Sequence, residues 1–272
     1  MSARGITAVV GVEALKLGGQ IKTYVVLAAC LAGPFAFAVA IRLQSSLPTD
    51  TLFGRAVKES GFAIPLVLLG FAALWAFPVL TSIVGGDLFS GEDRYGTWKL
   101  ALTRSCSRAD VFAGKVITAV IVSTLAICVF AASSIAAGVL VIGPGPLIDL
   151  SGIPLTFDQA LIRVVLAWAS VVAPALAFTA FAVLLSVISR NSVIGVGLPV
   201  VVGMVMQLIA MLDGPEVFRR LLITSAFGAW HGLFVQPSYY GPLFDGIALS
   251  SACVVLCLTL AFRSLRRRDI AG

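Results

Sequence analysis

The residues of this chain able to do chemistry are concentrated in one loop. It reads Gly85-Gly86-Asp87-Leu88-Phe89-Ser90-Gly91-Glu92-Asp93-Arg94-Tyr95-Gly96-Thr97-Trp98-Lys99, continues through Arg104 and Arg108, and closes at Lys115. Nine of the chain's 32 charged residues fall between Asp87 and Lys115. Mixed charge interleaved with aromatics is suited to recognition rather than to making bonds. The spacing predicts a short helix from Arg94 to Thr103, with Tyr95, Trp98 and Leu102 on one face at three- and four-residue intervals. Such a face docks into a partner's groove, with Glu92 and Arg94 supplying polar contacts or bracing the loop. Ser107 and Asp110 form the pattern of a capping box ahead of the apolar run that begins at Val111. The plainer reading is a solvated loop with a snorkelling Trp.

Bond-making chemistry finds little support elsewhere. No catalytic residues are predicted, because the sequence has no HExxH, no GxSxG and no carboxylate pair within an apolar run. No phosphate-cradling GxxxxGK followed by Ser or Thr occurs either, so ATP is not bound by that mechanism. The cysteines Cys30, Cys106, Cys128, Cys253 and Cys257 lack zinc spacing and a secreted disulfide pattern. Cys253 and Cys257, four apart, read as a packing pair. His231, the single histidine, has no obvious ligand companions. The centres of the apolar runs carry almost no ionisable groups, whereas ion-coupled carriers and proton pumps usually need them.

The elements that hold the loop are apolar helices. The 272 residues are 59% hydrophobic and 12% charged, with a mean hydropathy of +1.05. Soluble domains carry about 25% charged residues. An all-α integral membrane protein is therefore expected, as one domain over 1–272. Residues 1–22 read as an interfacial helix, and spans fall at about 23–43, 62–85, 116–141, 163–188, 192–212 and 245–263. Between the last two spans, 221–244 has no charge, but Gly228, Gly232, Pro237, Gly241 and Pro242 break it. It reads as a broken, re-entrant or interfacial segment on the outer side. Pro65, Pro78, Pro174 and Pro199 are expected to kink the helices that hold them. With both termini cytoplasmic, 13 of the 19 Lys and Arg lie inside, as the positive-inside rule requires. The net charge of +6 is then the excess of inner loops and points to no nucleic acid. The expected location is the cytoplasmic membrane.

These features resemble the ABC-2-type transporter permease, the membrane subunit of a type V ABC exporter. The residues carrying the resemblance are Glu92 after the second span, Gly96-Thr97, Leu100, Ser107-Arg108 and Lys115 before the third span. The N-terminal Glu13-Ala14-Leu15-Lys16 and the basic C-terminal stretch from Phe262 to Ile270 add to it. Cys106 stands where that family often has Pro. The resemblance implies a cytoplasmic coupling helix after span two. Glu92, Arg94, Tyr95, Thr97, Trp98, Leu102 and Arg108 would contact a separate cytoplasmic ABC ATPase. ATP and Mg would sit on that ATPase, with no cofactor in this chain. A second permease copy or a related permease would complete a dimer within membrane lipid. The expected function is export of a hydrophobic or amphipathic substrate, such as a drug, antibiotic or lipid. The competing reading is a polytopic scaffold or channel-like protein not coupled to ATP.

Overall fold

Long apolar runs leave a backbone no water to bond with, so it bonds to itself and helices result. The computed structural model describes residues 3–44, 51–98, 107–212, 219 and 221–267. Within them the chain is mostly helical. Six helices are long and apolar enough to cross a membrane: Ile21–Leu43, Ala63–Gly86, Arg108–Ile142, Phe157–Ser189, Ser192–Met211 and Gly241–Arg267. The number matches the hydropathy reading. The third, fourth and sixth helices run well past the predicted bounds. At 35 residues the third is roughly 50 Å long, against a hydrocarbon layer of ~30 Å. Its charged residues, Arg108, Asp110 and Lys115, all lie in its first turns, so the uncharged stretch long enough to span that layer begins after Lys115.

Helix two and the second half of helix four form the centre. Most of both is buried, whereas helices one, five and six keep most of their surface outward. Two prolines expected to kink helices instead start them. Pro65 and Pro174 each occupy the third residue of their helical segment, Ala63–Phe71 and Val172–Ser189. There a missing N–H costs nothing. The fourth span is consequently two pieces, Phe157–Ser170 and Val172–Ser189, meeting at Val171. Pro78 does disturb its helix. The turn just before it, Ala72–Ala76, widens to π geometry, which makes room for a ring that would otherwise press on the preceding turn.

Glycines set a close crossing between helices two and five. Gly86 at the end of helix two and Gly195 near the start of helix five meet backbone to backbone. A Cβ on Gly86 would lie 2.4 Å from the Gly195 carbonyl. This crossing fixes where the chain leaves the bundle to enter the charged loop.

The segment 221–244 is broken, as its glycines and prolines predict. It holds a short helix, Ile223–Ala226, and a 3-10 turn, Ala229–Phe234. Phe227, Trp230 and Phe234 are buried. Phe227 stacks on Phe77 and Phe178. At the same end of the bundle, Leu147–Ile148 pairs antiparallel with Pro154–Leu155. Asp149 in that hairpin accepts the backbone N–H groups of Ser151 and Ile153 and the Gln236 amide, each at 2.9 Å.

Gly86→Ala should lower the thermal unfolding midpoint in detergent, since overpacking a tight contact costs about 1–3 kcal/mol. Gly33→Ala in helix one meets nothing within 4 Å and should leave the midpoint unchanged or slightly raised. Equal effects of the two would remove the crossing as a constraint.

Candidate functional site

Glu13 and Lys115 each interrupt an otherwise apolar helical stretch, and a buried charge there requires a partner. The N-terminal helix, Ala3–Gly18, provides the meeting point. Gly114 lets it lie close against the third span. A Cβ there would stand 2.6 Å from the Val9 side chain. That approach brings four charged residues together. Lys115 Nζ donates to Glu13 Oε1 and to Glu92 Oε1, both at 2.9 Å. Lys16 Nζ donates to the same two oxygens at 3.0 and 2.6 Å. Two ammoniums and two carboxylates thus alternate around a closed, neutral ring. Glu13, Glu92 and Lys115 are buried, and Lys16 reaches the surface.

The ring is saturated on its inner side. The third ammonium hydrogen of Lys115 goes to the Leu88 carbonyl at 3.0 Å, and its charge faces the Phe89 ring at 5.7 Å. The Thr97 hydroxyl donates to Glu92 Oε2. Burial pushes the Glu92 carboxyl up, but the Lys115 charge and the bonds from Lys16, Thr97 and Lys115 outweigh it, holding the group at about 2. For Lys16, burial pulls the ammonium down, and its bonds to Glu92 and Glu13 overcome that and raise it.

A second set of contacts ties the loop to the remaining helices. Asp87 accepts from Lys22 Nζ at 2.7 Å and from the Ser192 hydroxyl at 2.6 Å. Burial raises the Asp87 carboxyl, and these two bonds more than reverse that. The N–H groups of Phe89 and Ser90 donate to Ser186 Oγ at 3.1 and 2.9 Å, which satisfies donors at the start of the short helix Ser90–Tyr95. The loop is therefore bonded to helix one through Lys22, helix three through Lys115, helix four through Ser186, helix five through Ser192, and the N-terminal helix through Lys16.

The predicted site residues distribute differently from expectation. The helix does not run from Arg94 to Thr103. It ends at Tyr95, because Gly96 takes a left-handed conformation with φ 65°. Trp98 is consequently not on a face with Tyr95. It is buried, its ring packs on Phe89 at 6.2 Å, and its Nε1 donates to Asp93 Oδ1 at 2.9 Å. Tyr95 is exposed, with the Arg94 guanidinium over its ring. Glu92 and Thr97 sit in the ring. Arg108 donates to the Arg266 carbonyl at 3.2 Å. Leu102 lies outside the described residues, as do Lys99, Leu100 and Cys106. The capping box at Ser107 and Asp110 is present.

Sequence reasoning missed Lys22, Ser186 and Ser192 as anchors of the loop. Their partners are 65 to 105 positions away, and hydroxyls in apolar helices ordinarily bond their own backbone. Glu13 and Lys16 were noticeable as charges in an apolar stretch, though nothing local named their partners.

A protein-family model matches residues 27–271, nearly the whole chain, and its description is "Protein of unknown function (DUF2705)". The chain belongs to that family. This match corrects the resemblance to ABC-2-type permeases drawn from the loop motifs. Those motifs are short, and Glu13, Glu92, Thr97 and Lys115 satisfy one another inside the fold. An internal brace accounts for them without specifying a family. No curated protein matches the chain.

Lys115→Met should destabilise the protein by about 3–5 kcal/mol, the usual cost of stripping one partner from a buried ion pair. Adding Glu13→Gln and Glu92→Gln should recover part of it. In acid, the stability that ionised Glu92 contributes is complete above about pH 4.5 and lost as pH falls through about 2. Unfolding midpoints measured from pH 2 to 7 should show that acid limb, and Glu92→Gln should flatten it.

Proposed function

We propose that this chain is the permease subunit of an ATP-binding cassette exporter, worked by a separate cytoplasmic ATPase. The observation that supports this most directly is the wiring of the loop. Residues 87–97 are bonded by charge and hydroxyl contacts to the N-terminal helix and to four spans. A force applied there reaches most of the bundle without relying on flexible chain. Such a connection is of use to a protein that is driven from one end. The sequence has no Walker A motif, so in this reading hydrolysis, with its ATP and Mg, belongs to another chain.

In this reading Ser90–Tyr95 and the residues after it are the coupling element. Arg94 and Tyr95 present the contact surface, and Trp98 holds the loop from within. The N-terminal helix lies at the inner membrane surface, both termini are cytoplasmic, and the broken segment 221–244 faces outward. The outward apolar surfaces of helices one and five meet lipid or a second copy. The cargo is hydrophobic or amphipathic, because the spans offer mild polar groups such as Ser123 and Thr179, which bond each other at 3.2 Å.

The chain purified from its native membrane should bring with it an ATPase bearing a Walker A motif. Tyr95→Ala should weaken that association roughly 30-fold, as for an interface anchor of ~2 kcal/mol, while leaving membrane insertion unchanged. A cysteine placed at Ser238 in a Cys-free background should react with a membrane-impermeant thiol reagent only from outside. Solute flux through vesicles holding this chain alone, without ATP, would favour the channel-like alternative and refute the proposal.

A further inference from the structure

The cavity beside the charge ring is unused by anything described so far. It measures about 630 Å³, within the range of ligand pockets, ~300–1,000 Å³. It lies between the N-terminal helix and the loop, and its lining is divided. Val9, Val12, Leu17, Val84 and Val111 form an apolar part. The polar part carries Lys16, Lys22 and Lys115 against Glu13, Asp87 and Glu92, so its formal charges cancel. Ala8, Lys16 and Tyr95 at its edge are exposed.

A third kind of group narrows the occupant. Gln20 lines the same cavity, and its side-chain Oε1 is buried with no hydrogen-bond partner. A buried acceptor left unpaired costs free energy, so it calls for an N–H or O–H donor. Lys22 uses one of its three hydrogens on Asp87, leaving others for an anionic oxygen. Both Asp87 oxygens retain acceptor capacity beyond Lys22 and Ser192.

We propose that this cavity binds a phospholipid of the surrounding bilayer whose headgroup is zwitterionic and ends in a primary ammonium. The apolar part takes an acyl chain. Lys22 and the free hydrogen of Lys16 hold the phosphate. The ammonium donates to Gln20 Oε1 and to Asp87. A net-anionic head is disfavoured because each lysine here already faces a carboxylate. A trimethylated ammonium is disfavoured because it has no N–H for Gln20. Bound there, the lipid spans the N-terminal helix and the loop, and so makes the brace sensitive to bilayer composition.

The test uses the full chain, delipidated in detergent and titrated with phosphatidylethanolamine, phosphatidylcholine or phosphatidylglycerol carrying identical acyl chains. Bound fractions are read by native mass spectrometry, with thermal unfolding as a second readout. Phosphatidylethanolamine should bind about tenfold tighter than phosphatidylcholine, the worth of one well-placed hydrogen bond. Gln20→Leu should cut that preference several-fold, leaving what Asp87 contributes, and should leave the lipid-free unfolding midpoint in place, since Gln20 Oε1 bonds nothing in the chain. Val12→Trp, which fills the apolar part, should abolish retention of both. Equal binding of ethanolamine and choline lipids by the native chain, tightest binding of phosphatidylglycerol, or a preference undiminished by Gln20→Leu would each overturn the proposal. No ATPase enters the assay, so its outcome is independent of the exporter reading.

Discussion

Everything at the charged end of the molecule depends on one electrostatic arrangement, the ring of Glu13, Lys16, Glu92 and Lys115. Removing an ion from water costs several kcal/mol even after the protein relaxes. A single buried pair often fails to recover that. Here Lys115 meets both carboxylates and a carbonyl, and each Oε1 receives two ammoniums. Every member therefore has more than one opposite charge, and the whole is neutral. The same closure makes the ring intolerant of partial loss. Without one residue, the buried members that remain carry unbalanced charge. The N-terminal helix, the loop and the first turns of helix three are thus held as one unit.

Packing supplies what electrostatics cannot, the position of that unit on the bundle. Gly86 and Gly195 bring helices two and five together at the point where helix two ends. Six residues beyond Gly86 is Glu92. The backbone contact at Gly86 fixes the start of the loop that carries Glu92 into the ring. Ser186 and Ser192 hold the same loop by hydrogen bonds. In lipid such a contact matters, because apolar burial gives little drive between helices and close contact of small residues must do more.

The spans were legible because twenty-odd apolar residues in succession admit few other structures, and their number survives in the fold. The break in 221–244 was legible from its glycines and prolines, and the capping box at Ser107 from its spacing. The charged loop was legible as a site but not as a shape. The helical spacing of Tyr95, Trp98 and Leu102 suggested a continuous face, yet Gly96 at positive φ ends the helix after Tyr95. A glycine tolerates helix and left-handed turn alike, so sequence alone does not choose between them. The ring itself joins positions 13, 16, 92 and 115. No local pattern spans such distances, and only the unexplained charge at each place hinted that partners existed.

The internal use of Trp98 changes what the loop can offer a partner. An aromatic stacked on Phe89, which packs at a tilt on Phe112 and through it on Phe262, links the loop to the sixth span as well. That leaves Arg94 and Tyr95 as the outward groups of Ser90–Tyr95. A partner acting on them meets a short, stiff projection whose base is pinned by charge on one side and by stacked rings on the other. Displacing it requires either moving the N-terminal helix and helix three with it or separating the charges of the ring, three of them buried. The bonds of Glu92 to Lys16 and Lys115 and of Lys115 to Glu13 therefore resist movement of the loop apart from the N-terminal helix and the first turns of helix three.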